Sequence, residues 1–315
     1  MLTTLKALAE ETRVRILVIL DHGEFSVMEI MQILRMGQSR ISRHLKILQS
    51  AGVAGNRRDG ACVFYHLSHA DPHREILFRE ILEWARTTAW YAALTAETSR
   101  VLAERHRRSA DSFNRIAPNW TSLRDRYIDF GRFEASILES FAHSHLIADL
   151  GCGAGDISTR LIAGGHDVIG VDSNSEMLGN ARELLADALK THRVDLRLGA
   201  IEHLPIRNGE VEGILCSMVL HHLAEPGKAF QEFNRILGRR GVLIVIDFLQ
   251  HDNEQLRAEM GDLWRGFTSV DMTRWLAQSG FRLNRIETIP ARHESIQLLM
   301  AIAYKQSSIR EKSND

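Results

Sequence analysis

Cysteine is scarce in this chain: Cys62, Cys152 and Cys216 are the only three in 315 residues. They are too few and too scattered for a disulfide framework, and the expectation is a reducing, cytoplasmic setting. Long hydrophobic runs are also missing. No apolar stretch reaches the length of a membrane span, so no membrane partner is expected. The N-terminus lacks the basic-then-apolar pattern of a secretion signal. Between His73 and Ala117 there is neither glycine nor proline, which leaves room for one long helix or two consecutive ones.

What is present is ordinary for a globular chain long enough for two domains: 44% hydrophobic and 25% charged residues. The net charge of −1 conceals an asymmetry. Residues 1–108 carry 16 Lys and Arg against 12 Asp and Glu, and the remainder carries 23 against 28. From Met31 to Arg58 there are six basic residues and no acid, a local field that suits a polyanion.

The second half is organised around Leu146–Asp156. Leu146, Ile147, Ala148 and Leu150 read as a buried strand, followed by Gly151, Gly153 and Gly155 and then the start of a helix. Glycine tolerates positive φ and lets a ligand lie against the main chain, and a helix N-terminus offers unpaired N–H groups. The spacing is Asp-x-Gly-x-Gly-x-Gly, not that of a dinucleotide fingerprint. A second apolar run, Val168–Val171, ends in Asp172, 21 residues after Gly151. A ribose-binding carboxylate is expected about 20 residues on.

This pair of motifs resembles that of class I S-adenosylmethionine-dependent methyltransferases. The resemblance implies S-adenosylmethionine as cofactor and S-adenosylhomocysteine as product. It implies a cofactor set of Asp149, Gly151, Cys152, Gly153, Gly155, Asp172, Ser173, Met177, Ala200, Ile201, Glu202 and Ser217. Many relatives place an acid directly after the glycine that follows the third strand. Here that position is Ala200, so backbone groups or Glu202 would substitute.

The basic stretch near the N-terminus has its own pattern. Ala7–Leu20 has helical periodicity, and Ser26 with Glu29 forms a capping-box signature ahead of Ile30, Ile33 and Leu34. Gly37 permits a sharp turn. Gln38–Leu48 then sets Ile41, Leu45 and Leu48 on one face and Ser39, Arg40, Ser42, Arg43 and Lys46 on the other. That is a helix-turn-helix pattern. Asp59-Gly60 is a hairpin turn between two β-prone segments, with Arg57 and Arg58 just before it. Over residues 5–70 this order resembles the winged-helix repressors of the arsenic-repressor family. A double-stranded DNA operator is the implied partner. Arg40, Arg43, Lys46, Arg57 and Arg58 are the expected phosphate or base contacts, and Gln38, Ser39 and Ser42 the base-edge readers. Many repressors of that family sense a thiophilic metal through cysteines in the second helix of this region. Glu24–Ile30 has none, and His69, Asp71 and His73 do not complete a set, so no metal is expected.

Leu77, Phe78, Ile81, Leu82, Trp84 and Ala85 form an apolar stripe that favours a homodimer. The fold expected is α/β: an N-terminal winged helix-turn-helix over 1–70 and a helical connector and dimerisation region over 71–108. A doubly wound seven-stranded class I sheet with an antiparallel last strand follows over 109–305, then a disordered tail over 306–315. Phe113–Trp120 resembles a helix that folds over the cofactor as a lid, with Trp120 and Tyr127 as lid residues. Phe248–Phe267, with Trp264 and Phe267, is expected to wall the acceptor pocket. Methyl transfer from a sulfonium is in-line displacement at an activated carbon and mostly needs proximity and desolvation. A base is needed only if the small-molecule acceptor carries a proton. His222 and His251 are the candidates, with His221 beside them. The competing expectation is a transcriptional regulator whose methyltransferase-like half only senses S-adenosylmethionine or S-adenosylhomocysteine. Arsenite as acceptor is disfavoured, because Cys62 and Cys152 do not lie where thiols would converge.

Overall fold

A computed structural model describes residues 1–60, 62–68, 71–117, 120–293 and 296–306, with the side chains of Pro72, Phe113 and Thr121 left aside. His69, the Pro118-Asn119 part of the expected lid, the Phe113 side chain and the expected tail over 307–315 lie outside the described residues. The chain divides into two units, Met1–Arg108 and Ser109 onward.

The first unit opens with helices α1 (Leu2–Leu8) and α2 (Glu11–Asp21). The periodic segment Ala7–Leu20 is therefore broken. Glu10 is extended (φ −157°) and its carboxylate accepts from the N–H groups of Thr12 and Arg13, capping α2. After the short strand β1 (Phe25–Ser26) comes α3 (Val27–Leu34), and its capping box between Ser26 and Glu29 is formed as the spacing predicts. The turn into α4 (Gln38–Ser50) differs from expectation. Its left-handed residue is Arg35 (φ 53°), whose N–H closes the end of α3, while Gly37 is an extended N-cap. Strands β2 (Ala54–Asp59) and β3 (Cys62–Leu67) pair antiparallel, and β1 adds to β3, giving the order β1-β3-β2. The glycine-free segment forms two helices, α5 (Pro72–Arg86) and α6 (Tyr91–Ile116), of which α6 crosses the unit boundary. Asp71 caps α5 by accepting from the His73 N–H, with proline in the first turn. The core joins Ile16, Leu17, Ile41, Leu45 and Leu48 to Phe78 and Ala85 of α5 and Leu94, Val101 and Leu102 of α6. Trp84 of the apolar stripe stays 54% exposed.

In the second unit α7 (Trp120–Tyr127) and α8 (Gly131–Ser140) precede a seven-stranded sheet. Its parts are β4 (Leu146–Leu150), α9 (Asp156–Ala163), β5 (Asp167–Asp172), α10 (Ser175–Leu184), α11 (Ala186–Lys190), β6 (Val194–Leu198), β7 (Val211–Ser217) and α12 (Pro226–Ile236). β8 (Leu237–Phe248), α13 (Glu254–Met260), α14 (Ser269–Gln278), β9 (Phe281–Pro290) and β10 (Gln297–Lys305) complete it. The strand order is β6-β5-β4-β7-β8-β10-β9. The first five strands of that order are parallel, and β10 is antiparallel to both β8 and β9. The last strand does run antiparallel, inserted between β8 and β9. The chain winds outward from β4 to β6 and then crosses to β7 on the other flank of β4. Crevices at such reversals, beyond the carboxyl ends of the strands, are where ligands of open α/β sheets bind.

Candidate functional site

In the first unit the residues of interest lie on α4. Ile41, Leu45 and Leu48 are fully buried, and helical geometry then turns Gln38, Ser39, Arg40, Ser42, Arg43 and Lys46 to the opposite face, where all six are exposed. The wing departs from expectation. Side chains alternate across a strand, so Arg58 faces outward while Arg57 turns inward. Arg57 is 8% exposed, pairs with Glu24 and lies over the Phe64 ring. It ties the wing to the loop that leads into β1 and is withdrawn from the DNA-contacting set.

In the second unit the turn after β4 has the geometry its glycines suggest. Gly151, Gly153 and Gly155 all take left-handed φ, at 72°, 54° and 88°. A Cβ on Gly151 would lie 2.3 Å from a Val219 methyl, and one on Gly153 3.2 Å from the Met177 methyl. Two donors of the turn, the N–H groups of Gly151 and Cys152, meet the Val171 carbonyl at 2.7 and 3.1 Å. The Gly153 N–H donates to Asp172 Oδ2 and the Asn174 N–H to Asp172 Oδ1, each at 2.8 Å. Asp172 thus ties the glycine turn to the end of β5. Burial pushes its carboxyl up, and the N–H groups of Asn174, Gly153 and Ser173 oppose this.

Asp149 lies deeper, 1% exposed, with Ser158 Oγ donating to its Oδ2 at 2.6 Å. This bond ties α9 to β4. Around the same strand ends Ser173 and Ala200 are exposed, Glu202 and Ser217 are half-buried, and Met177 and Ile201 are buried. The thiols of Cys152 and Cys216 are buried, and burial pushes both far up.

Burial also pushes the Asp149 carboxyl up to about 6, against the Ser158 hydrogen bond, from the ordinary 3.8. The native state therefore holds a proton that the unfolded chain has released, so stability falls as pH rises from about 4 to about 6. The span is worth about 3 kcal/mol. The Asp149→Asn variant should lack this component. Denaturant melts of both proteins across the window check it, and a constant stability difference would contradict it.

A second cluster sits at the ends of β7 and β8. Met218 takes a left-handed φ of 60° and its N–H donates to the Ile246 carbonyl at 2.8 Å. A 3-10 turn, Leu220–His222, follows. His221 is fully buried. Its Nδ1 is 2.6 Å from Asp247 Oδ1 and its Nε2 is 3.5 Å from Asp262 Oδ1. His222 Nδ1 is 3.7 Å from the same Asp262 oxygen, and its ring meets the Trp120 ring edge-on at 5.7 Å. The N–H groups of Leu263 and Trp264 donate to the His221 carbonyl, which fixes the loop carrying Asp262 over the histidines. Burial lowers His221, but Asp247 and Asp262 outweigh it and raise it to about 9. Burial drives Asp262 up to about 7, against the pull of His221, and drives His222 well down.

Of the candidate bases, His222 belongs to this cluster and His251 does not. His251 Nδ1 accepts from the Asn253 N–H at 3.2 Å, and its ring packs against Phe248. Trp264 and Phe267 correct the expected acceptor wall. Trp264 is 1% exposed and donates from Nε1 to the Leu223 carbonyl at 2.6 Å, and Phe267 is fully buried against Trp275. Both are core residues. Tyr127 donates to Glu259 at 2.8 Å, whereas Trp120 is the aromatic residue of α7 beside His222. Asp247 and Asp262 are the residues of this cluster that do not stand among those expected from the sequence. Asp247 did carry a signal, since a carboxylate closing the apolar run Val242–Ile246 needs a buried partner. Asp262 sits in a loop without a motif.

Residues 10–54 match the model for the bacterial regulatory protein arsR family, and residues 148–245 match the methyltransferase domain model. A ubiquinone/menaquinone biosynthesis C-methyltransferase of Campylobacter jejuni is 25% identical over 169 residues, covering 49% of this chain and 69% of that protein. An arsenite methyltransferase of Halobacterium salinarum is 31% identical over 114 residues, 35% of this chain and 29% of that protein. Across the first curated relatives this chain spans from 28% to 69% of the relative's own length. A crystal structure of the 1,6-didemethyltoxoflavin-N1-methyltransferase of Burkholderia thailandensis, with 1,6-didemethyltoxoflavin and S-adenosylhomocysteine bound, shares the fold. Its TM-score is 0.51 at 20% identity, over 64% of this chain and 88% of that one. The glycine turn with its strand-end acid and the basic helix each fall inside or beside a matched segment, and the chain joins an arsR-family regulatory helix-turn-helix domain to a methyltransferase domain.

Proposed function

We propose that the second unit is an S-adenosylmethionine-dependent methyltransferase of a small molecule and that the first unit binds a DNA operator. The observation that carries the enzymatic reading is Asp172: a buried carboxylate at the end of β5 that also fixes a glycine turn with three left-handed residues. The turn fits the cofactor: side chains at Gly151 or Gly153 would run into Val219 or Met177, so the chain keeps a bare main chain there for a ligand to lie against. When bound, S-adenosylmethionine supplies a methyl group on a sulfonium. Asp172 would hold the ribose hydroxyls, the Gly151–Gly155 main chain would lie against the methionine part, and Met177 shapes the floor beneath Gly153. Ala200, Ile201 and Glu202 border the adenine end, and Asp149, Cys152, Ser173 and Ser217 complete the surround. Trp120 beside His222 would exclude water on the acceptor side. The buried thiols disfavour a thiophilic acceptor, since no reactive sulfur converges on this crevice among the described residues.

The exposed face of α4, with Arg58 of the wing, is the DNA-reading surface. A homodimer suits it, and supporting this, Leu2 and Leu5 of α1 and Ile76 and Trp84 of α5 are exposed apolar side chains. No described helix is long and apolar enough to cross a membrane. The place of action follows the DNA, in the cytoplasm.

One observation favours the sensor reading: Trp264 and Phe267 are core residues, so they line no acceptor pocket. Both readings require cofactor binding. Isothermal titration of the full chain with S-adenosylmethionine and S-adenosylhomocysteine tests it. A one-to-one heat with either is expected, and no heat from either ligand at about millimolar concentration, a Kd weaker than about −4 kcal/mol of binding, overturns both.

A further inference from the structure

No metal is expected from the sequence, yet the ends of β7 and β8 hold a donor set that suits one. We propose that His221 Nε2, His222 Nδ1 and a carboxylate oxygen of Asp262 bind a divalent transition-metal ion of the zinc class.

The geometry fits. The three ligand atoms all lie within 4.8 Å of one another, with 3.5 Å and 3.7 Å separating the two nitrogens from Asp262 Oδ1. Donors at about 2.1 Å from a tetrahedral ion lie about 3.4 Å apart. Two of these groups, His221 Nε2 and the Asp262 carboxylate, make no hydrogen bond among the described residues. Asp262 is 6% exposed, neither of its carboxylate oxygens accepts a hydrogen bond, and His221 Nε2 makes none either, among the described residues. Buried groups of this kind normally have a partner.

A further feature is the carboxylate behind His221. The His221 Nδ1 meets Asp247 Oδ1 at 2.6 Å, with both side chains fully buried. A carboxylate taking the Nδ1 proton of a metal-bound imidazole orients the ring and leaves Nε2 as ligand. Asp247 is itself held by the Phe248 N–H at 2.8 Å. Two imidazoles and one carboxylate suit zinc or a neighbouring divalent metal better than calcium or magnesium, which prefer all-oxygen shells. Three protein donors also leave one position for an exogenous ligand. That ligand would be an oxygen or sulfur of the methyl acceptor, a statement that rests on the methyltransferase reading. Metal binding itself does not.

The full chain, stripped with chelator, is titrated with Co²⁺ alone and read by visible absorption, with no cofactor or acceptor present. This measurement can therefore fail while the methyltransferase reading stands, and the reverse. A saturable one-to-one d–d band displaced by Zn²⁺ is expected. Asp262→Asn and His222→Gln should abolish it, and Asp247→Asn should weaken Co²⁺ binding about 10- to 100-fold. His145→Gln, at an exposed histidine outside the cluster, should leave it intact. Circular dichroism confirms that each variant is folded. Should Asp262→Asn fail to fold, His222→Gln, at the cluster's more exposed residue, decides. The absence of a one-to-one band in the wild type, or a band that persists unchanged in a folded ligand variant, overturns the proposal.

Discussion

Replacing Asp172 by alanine should weaken binding of S-adenosylmethionine and S-adenosylhomocysteine by about a hundredfold or more. Two losses combine. The ribose hydroxyls lose a charged acceptor, worth about 1.5–3 kcal/mol per hydrogen bond. The N–H groups of Gly153 and Asn174, each now 2.8 Å from a carboxylate oxygen, lose the partner that shapes the turn. At about 1.4 kcal/mol per tenfold, the first loss alone gives the expected factor. Asp172→Asn should lie between the two, because its amide can accept from only one of the two N–H donors while presenting N–H to the other. Calorimetry on folded variants reads the series. An Asp172→Ala protein that binds within about threefold of wild type, a difference under about 0.7 kcal/mol, would remove Asp172 from the site.

The second large effect separates two kinds of arginine that look alike in the sequence. Arg43→Ala with Arg40→Ala removes two exposed cations from α4 and should lower operator affinity by about 1–3 kcal/mol for each base-reading arginine removed. The slope of affinity against salt should fall by about one for each phosphate-binding cation removed. Arg57→Ala should act through stability instead. It leaves the Glu24 carboxylate, 12% exposed, without the guanidinium it now faces. Breaking a buried pair from one side costs about 3 kcal/mol. Gel shifts over a salt series together with thermal melts distinguish the two outcomes. If the Arg40/Arg43 double variant bound like wild type, or if Arg57→Ala lost DNA affinity with its melting point unchanged, the assignment of the face would be wrong.

The parts legible in the sequence are those fixed by short-range rules. The capping box at Ser26 and Glu29, the helix face of Ile41, Leu45 and Leu48, the antiparallel pairing of β2 with β3 and the alternating glycines after β4 each depend on neighbours a few residues apart. The parts that escaped depend on competition or on distance. Glu10 is an acceptable helix residue by propensity, yet as a cap it satisfies two N–H groups and breaks the helix. Arg35 rather than Gly37 takes the left-handed position, because the end of α3 closes there. Arg57 and Arg58 are distinguished only by the register of β2 on β3, which decides which one meets Glu24. The insertion of β10 between β8 and β9 leaves no mark in strand patterning, since both neighbours are antiparallel to it. Asp247 and Asp262 reach His221 from separate stretches of chain, and no local spacing announces that.

Whether the second unit transfers methyl groups is read most directly from the fate of a labelled methyl. The chain is incubated with methyl-labelled S-adenosylmethionine and the small-molecule fraction of its source cell. Label in a discrete small molecule is expected with the wild-type chain and none with Asp172→Ala. Absence of transfer by a wild-type protein that binds the cofactor, with DNA affinity that still responds to it, would contradict the enzymatic account and establish the second unit as a sensor.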